Sequence, residues 1–129
     1  MSTIAGAHFL LYSTDADADR AFMRDVLNLQ AVDAGHGWLI FALPPSELAV
    51  HPAEDGAPPP AAADDKLLRT ELYFMTSDVA GFVAALQQRG VGCTPIKQER
   101  WGRFSLITLP SGGKIGVYQP SHPTAISMS

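Results

Sequence analysis

The sequence holds one cysteine, Cys93. An intrachain disulfide is therefore excluded, and a reducing compartment suits the chain. No helix start and no basic pair lies beside Cys93 to activate it, so it reads as a small apolar strand residue. No apolar run approaches the roughly 18 residues that a membrane span requires. The opening Met-Ser-Thr-Ile-Ala-Gly lacks the basic start and long apolar stretch of a signal peptide, so a cytoplasmic protein is expected. Positive charge is scarce as well. Nine Lys and Arg against thirteen Asp and Glu give a net charge of −4, with no basic stripe. Nucleic acid and membrane are not the expected partners.

What the chain does have is one domain's worth of residues, 129, with 47% apolar and 17% charged side chains. It also has a repeat. The stretch Ile4-Ala-Gly-Ala-His8-Phe-Leu-Leu-Tyr12 reads as a strand buried on both faces. His8 is followed seven residues later by Asp15 and then by a helical pattern. Glu71, in Thr70-Glu71-Leu-Tyr-Phe-Met-Thr-Ser-Asp78, is likewise followed seven residues later by Asp78 and a helical pattern. The far ends agree too: Leu43-Pro-Pro-Ser-Glu47 and Leu-Ala-Val-His51 align with Leu109-Pro-Ser-Gly-Gly-Lys114 and Ile-Gly-Val-Tyr118.

Between those ends the two halves share one element order. After the Ser13-Thr14-Asp15 cap, Ala18, Ala21, Phe22, Val26 and Leu29 fall on one helix face. Strands are expected at 30–33, 38–43 and 47–51, with a turn at 34–37. In the second half a strand ends at Thr76, and Ser77-Asp78 caps a helix that carries Val79, Phe82, Val83 and Leu86. Gly90 stops that helix. Strands follow at 93–99, 102–109 and 114–119. Residues 52–66, rich in Pro, Ala and Asp, read as a linker between a module at 4–52 and a module at 67–120. The tail from Pro120 reads as frayed.

This order, βαβββ twice, resembles the vicinal oxygen chelate superfamily of glyoxalases, bleomycin resistance proteins and ring-cleaving dioxygenases. The resemblance rests on His8 to Asp15, on Ala21-Phe-Met-Arg-Asp-Val-Leu27-Asn28, and on Gly112-Gly-Lys-Ile-Gly-Val117. In the first of these helices Met23 stands for the usual Tyr and Asn28 for the usual Gly. The resemblance implies an α+β fold. Two curved mixed sheets would pack into a half-barrel cavity, with one helix outside each. Dimerisation is a further implication, with sites built from one chain or two.

The resemblance also directs attention to particular polar residues. Metal-using members take ligands from the first and fourth strands of each half. His8 and Glu71 match the first-strand positions, while Ala49 and Gly116 occupy the fourth-strand positions and cannot ligate. His51, two residues beyond Ala49, would share its face. His8, His51 and Glu71 form a two-His-one-carboxylate set suited to Fe, Mn, Ni or Zn. Without a metal, Glu71 beside His8 is an acid/base pair.

Glu71 and Tyr118 are thus candidate catalytic residues. Trp101, Arg103, Trp38, Phe41 and Tyr73 are candidate substrate-binding residues, each with core or wall packing as the plainer alternative. Arg103 and its neighbours offer guanidinium groups to a carboxylate or phosphate. His36 and His122 read as exposed and inert. Two functions remain open. One is a metal-dependent isomerase, lyase or dioxygenase acting on a small substrate with vicinal oxygens. The other is a metal-free protein that sequesters a small molecule, as bleomycin-resistance members do.

Overall fold

Two aspartates, at matching places in the repeat, start the two helices. Asp15 caps α1 (Ala16–Asp25) by accepting from the Ala18 amide, and Asp78 caps α2 (Val79–Gln88) by accepting from the Gly81 amide. The cap residues have nearly the same backbone angles, φ −145° and −147°. Each carboxylate satisfies an amide that has no partner within the helix and lies at the positive end of the helix dipole. After α2 the chain turns through Gly90 at φ 80°, and after α1 through Asn28 at φ 58°. Asn is among the few residues other than Gly that adopt this left-handed conformation readily, which explains its place here.

The computed structural model describes residues 3–52 and 68–128. The expected linker at 52–66 falls, apart from Pro52, outside the described residues. The second half forms a four-stranded sheet from β3 (Tyr73–Met75), β4 (Lys97–Glu99), β5 (Gly102–Thr108) and β6 (Lys114–Pro120). Its strand order is β3-β6-β5-β4. β3 lies parallel to β6, with Tyr73 opposite Gly116, and the remaining pairs are antiparallel. Cys93 bridges Ile107 just before β4.

Alternation along these strands separates two faces. Ser105, Ile107, Ile115 and Val117 are buried on the helix side. They meet Val79, Val83 and Leu86 of α2 and, from the first half, Phe22 and Met23 of α1. Each such aliphatic side chain contributes about 1.5–3 kcal/mol by leaving water. Ser105 is fully buried, and its hydroxyl donates to the Thr94 carbonyl at 2.7 Å.

α1 is thus fastened to the second half. Asp19, buried on α1, accepts from the Ser111 amide at 3.0 Å and from the Ser111 hydroxyl at 2.7 Å. Burial opposes ionisation of Asp19 and is the largest single influence on it. Hydrogen bonds from Ser13 and Ser111 together outweigh burial and hold the carboxyl below its usual range. At the other end of α1, the Arg89 guanidinium donates to the carbonyls of Asp25 and Val26. A cation there faces the negative end of the helix dipole.

The strands of the first half differ from expectation. Its sheet has two strands, β1 (Ala31–Asp33) and β2 (Leu39–Phe41), paired antiparallel. Residues 4–12, expected as a strand buried on both faces, are exposed and enter no described strand. Residues 47–51, the expected fourth strand, also stand outside any sheet. Ile4, Tyr12, Leu48 and Val50 are 95%, 86%, 83% and 86% exposed. The apolar pattern specifies burial, yet the described residues of one chain leave these stretches exposed. The described residues of one chain form a four-stranded sheet and a two-stranded sheet.

Candidate functional site: an aromatic wall on the second sheet

The face of the second sheet away from the helices carries the aromatic residues. Tyr73 enters from β3, Phe104 from β5 and Tyr118 from β6, while Trp101 comes from the β4–β5 turn. Trp101 stacks on Phe104 with ring centroids 5.1 Å apart. Tyr118 meets Trp101 edge-on at 5.4 Å, and Tyr73 meets Tyr118 edge-on at 5.8 Å. Such pairings contribute about 0.5–1.5 kcal/mol beyond area burial, and they fix the rings as a rigid surface.

Two glycines make the wall possible. Gly102 has φ 153°, and a Cβ there would strike the backbone carbonyl of Gln119 on the neighbouring strand. The glycine lets the Trp101 turn close onto β6. Gly116 lies under Tyr73, and a Cβ added at Gly116 would overlap the Tyr73 ring itself. The fourth-strand position that carries a metal ligand in the family pattern is here covered by an aromatic ring.

The phenols are perturbed. Burial, then the charge of Glu71, pushes the Tyr73 hydroxyl up, against a smaller opposing effect from Arg69. Burial, then the charge of Glu47, pushes the Tyr118 hydroxyl up. Both phenols stay protonated around neutral pH. Burial alone raises the Cys93 thiol, in keeping with a packing role for that residue.

The tail is ordered onto this wall, contrary to the expectation of fraying. The Ser121 amide donates to the Trp101 carbonyl at 2.9 Å, and the Ser121 hydroxyl to the Arg100 carbonyl at 3.1 Å. The Ala125 amide donates to a Glu47 carboxylate oxygen at 2.8 Å, tying the tail to the first half. His122, expected to be exposed and inert, is half-buried. Its ring stacks on Tyr118 at 6.0 Å, and its Nε2 lies 3.2 Å from the phenol oxygen. A Ser/Pro-rich composition gave no sign of this, since the tail is held chiefly by backbone groups and by one imidazole.

Of the residues expected to bind substrate, Tyr73 and Trp101 join the wall, and so does the catalytic candidate Tyr118. Arg103 does not. Its strand partner is Gln119, whose side chain accepts from the Val79 amide on the helix side, so Arg103 shares that face. Phe41 packs against the core. Trp38 is exposed in the first half, with the Arg20 guanidinium carbon 4.5 Å from its ring centroid.

The expected ligand set of His8, His51 and Glu71 does not converge within one chain. All three are exposed, and Glu71 pairs with Arg69 at 2.6 Å. Among the described residues no three His, Cys, Asp or Glu side chains gather as a metal site. With Tyr73 over Gly116 as well, the described residues of a single chain do not fit a bound metal. Two open clefts, about 130 and 270 Å³, lie elsewhere, between the end of α1 and α2, with Leu27 and Phe82 in both. They are largely apolar and distant in chemistry from the wall.

Solved structures share this architecture. The antibiotic binding protein TnmS3 from Streptomyces sp. CB03234 is 24% identical, with 92% of this chain and 100% of that one covered at a TM-score of 0.58. Lactoylglutathione lyase from Agrobacterium tumefaciens is 18% identical, with coverage of 92% and 96% and a TM-score of 0.58. The fosfomycin resistance protein FosX from Listeria monocytogenes is 14% identical, with coverage of 92% and 96% and a TM-score of 0.55. The chain shares the fold of these three proteins. At these identities the likeness is one of fold, and the three relatives differ in what they do. No family model and no curated protein matches the sequence. Among the described residues no helix is long and apolar enough to cross a membrane.

Proposed function

We propose that the protein binds a small planar aromatic compound against the wall of Tyr73, Trp101, Phe104 and Tyr118, as a metal-free binding or sequestering protein. The observation that carries this reading is the Tyr73 ring lying over Gly116. It puts a stacking surface where a ligating carboxylate would stand, and four rigid rings favour a flat π-system over a small polar substrate. The antibiotic binding protein of the same fold supports the reading.

The reading includes a homodimer. In one chain apolar residues such as Leu48 and Val50 stand exposed, and their stretch enters no strand among the described residues. A second copy that adds its 4–12 and 47–51 stretches to a sheet would bury them and close the site. Binding of a planar fluorescent probe, measured with and without chelator, tests the proposal. Retained affinity after chelation and a loss of tenfold or more in Trp101→Ala support it. Loss of binding on chelation, restored by one metal, overturns it.

The metal-dependent reading, with isomerase, lyase or dioxygenase chemistry, requires a second copy to carry His8 and His51 to Glu71. All three side chains are exposed and so remain accessible to such an assembly. Elemental analysis of the native protein beside His8→Ala decides it. About one transition metal per chain, lost in the variant, selects the enzyme.

A further inference from the structure

His122 fixes the direction of the Tyr118 hydroxyl. Its Nδ1 lies 2.8 Å from the Pro123 carbonyl oxygen. A carbonyl only accepts, so Nδ1 carries the proton. In the neutral ring Nε2 is then bare and can only accept. The Tyr118 phenol, 3.2 Å away, therefore donates its single proton to Nε2. What remains for a ligand on the wall is the lone-pair capacity of the phenol oxygen.

We infer that His122 is a specificity-determining residue: it makes Tyr118 a hydrogen-bond acceptor toward the ligand, so that the site selects planar aromatic compounds bearing an O–H or N–H donor over analogues with only acceptors there. The inference rests on the aromatic-ligand reading and adds to it the chemistry of the ligand's edge. A bound acceptor would face a phenol oxygen with no proton to give, and a buried mismatch of that kind discriminates strongly.

A matched pair of probes tests this: 2-naphthol, which donates, and 2-methoxynaphthalene, which does not. At pH 8 the naphthol is expected to bind about five- to tenfold more tightly, one hydrogen bond's worth. The ratio is expected to narrow severalfold in His122→Ala and to vanish in Tyr118→Phe. A purely structural role for His122 would weaken both probes alike and leave the ratio unchanged, which would overturn the inference. The ligand-free protein supplies a second readout, since long-range ¹⁵N correlation distinguishes the two tautomers. A protonated Nε2 with a bare Nδ1 at pH 8 would overturn the inference alone. Failure of both probes to bind would overturn the aromatic-ligand reading and this inference with it.

Discussion

The two halves of this chain carry the same pattern and reach different ends. Each has its capping aspartate, its helix and its left-handed residue close behind. The second half completes a four-stranded sheet over a buried core, while the first completes two strands and leaves its outer stretches exposed. The difference lies in where the helices go. α1 packs into the second half's core through Phe22 and Met23 and is locked there by Asp19. The two strands of the first half pair only with each other among the described residues, and they reach the shared core through Phe41. Equal local propensity does not ensure equal tertiary structure, because a strand needs a partner from somewhere.

Substitutions that strike one half and spare the other test this contrast. The largest effect is expected for Ile107→Ala, at the buried centre of the second sheet. It should cost about 2–5 kcal/mol in denaturant unfolding. Asp19→Ala, which leaves the Ser111 amide and hydroxyl without their acceptor, should cost about 1–3 kcal/mol. This contribution has a defined pH window. The folded carboxyl lies below its ordinary value of 3.8, so its stabilisation is full above that value and is lost as pH falls through the lower folded one. The gap between wild type and Asp19→Asn should therefore shrink on acidification below about pH 4.

Smaller effects are expected in the first half. Val50→Glu should change the stability of a single chain by less than about 0.5 kcal/mol, since the residue is exposed. The same substitution should weaken self-association at least tenfold in sedimentation equilibrium. A large loss of stability at concentrations where the protein is monomeric would contradict the open first half. The smallest effect is expected for Asn28→Gly, a gain of a few tenths of a kcal/mol from relief of the positive φ.

Much of the local structure was legible in the sequence. Asp15, Asp78 and Gly90 act as their side chains and backbone freedom dictate, and β5 and β6 span nearly the stretches expected. Residues 4–12 were misread because an apolar run announces burial and not the identity of the covering surface. The bare Gly116 was legible as a missing ligand, but not as the seat of Tyr73, because that contact joins parallel strands more than forty residues apart. His122 was missed for a similar reason. An imidazole in a Ser/Pro-rich tail gives no sequence signal that it will meet Tyr118 and the Pro123 carbonyl.

The lock between Asp19 and Ser111 bears on kinetics as well as on architecture. It keeps α1 with the second half's core whatever the outer strands of the first half are doing. In the proposed dimer, two copies would then exchange those stretches without opening the core, since the free energy of detaching one stretch is only a part of the free energy of global unfolding. Mixed pairs of differently labelled copies should form much faster than either copy unfolds.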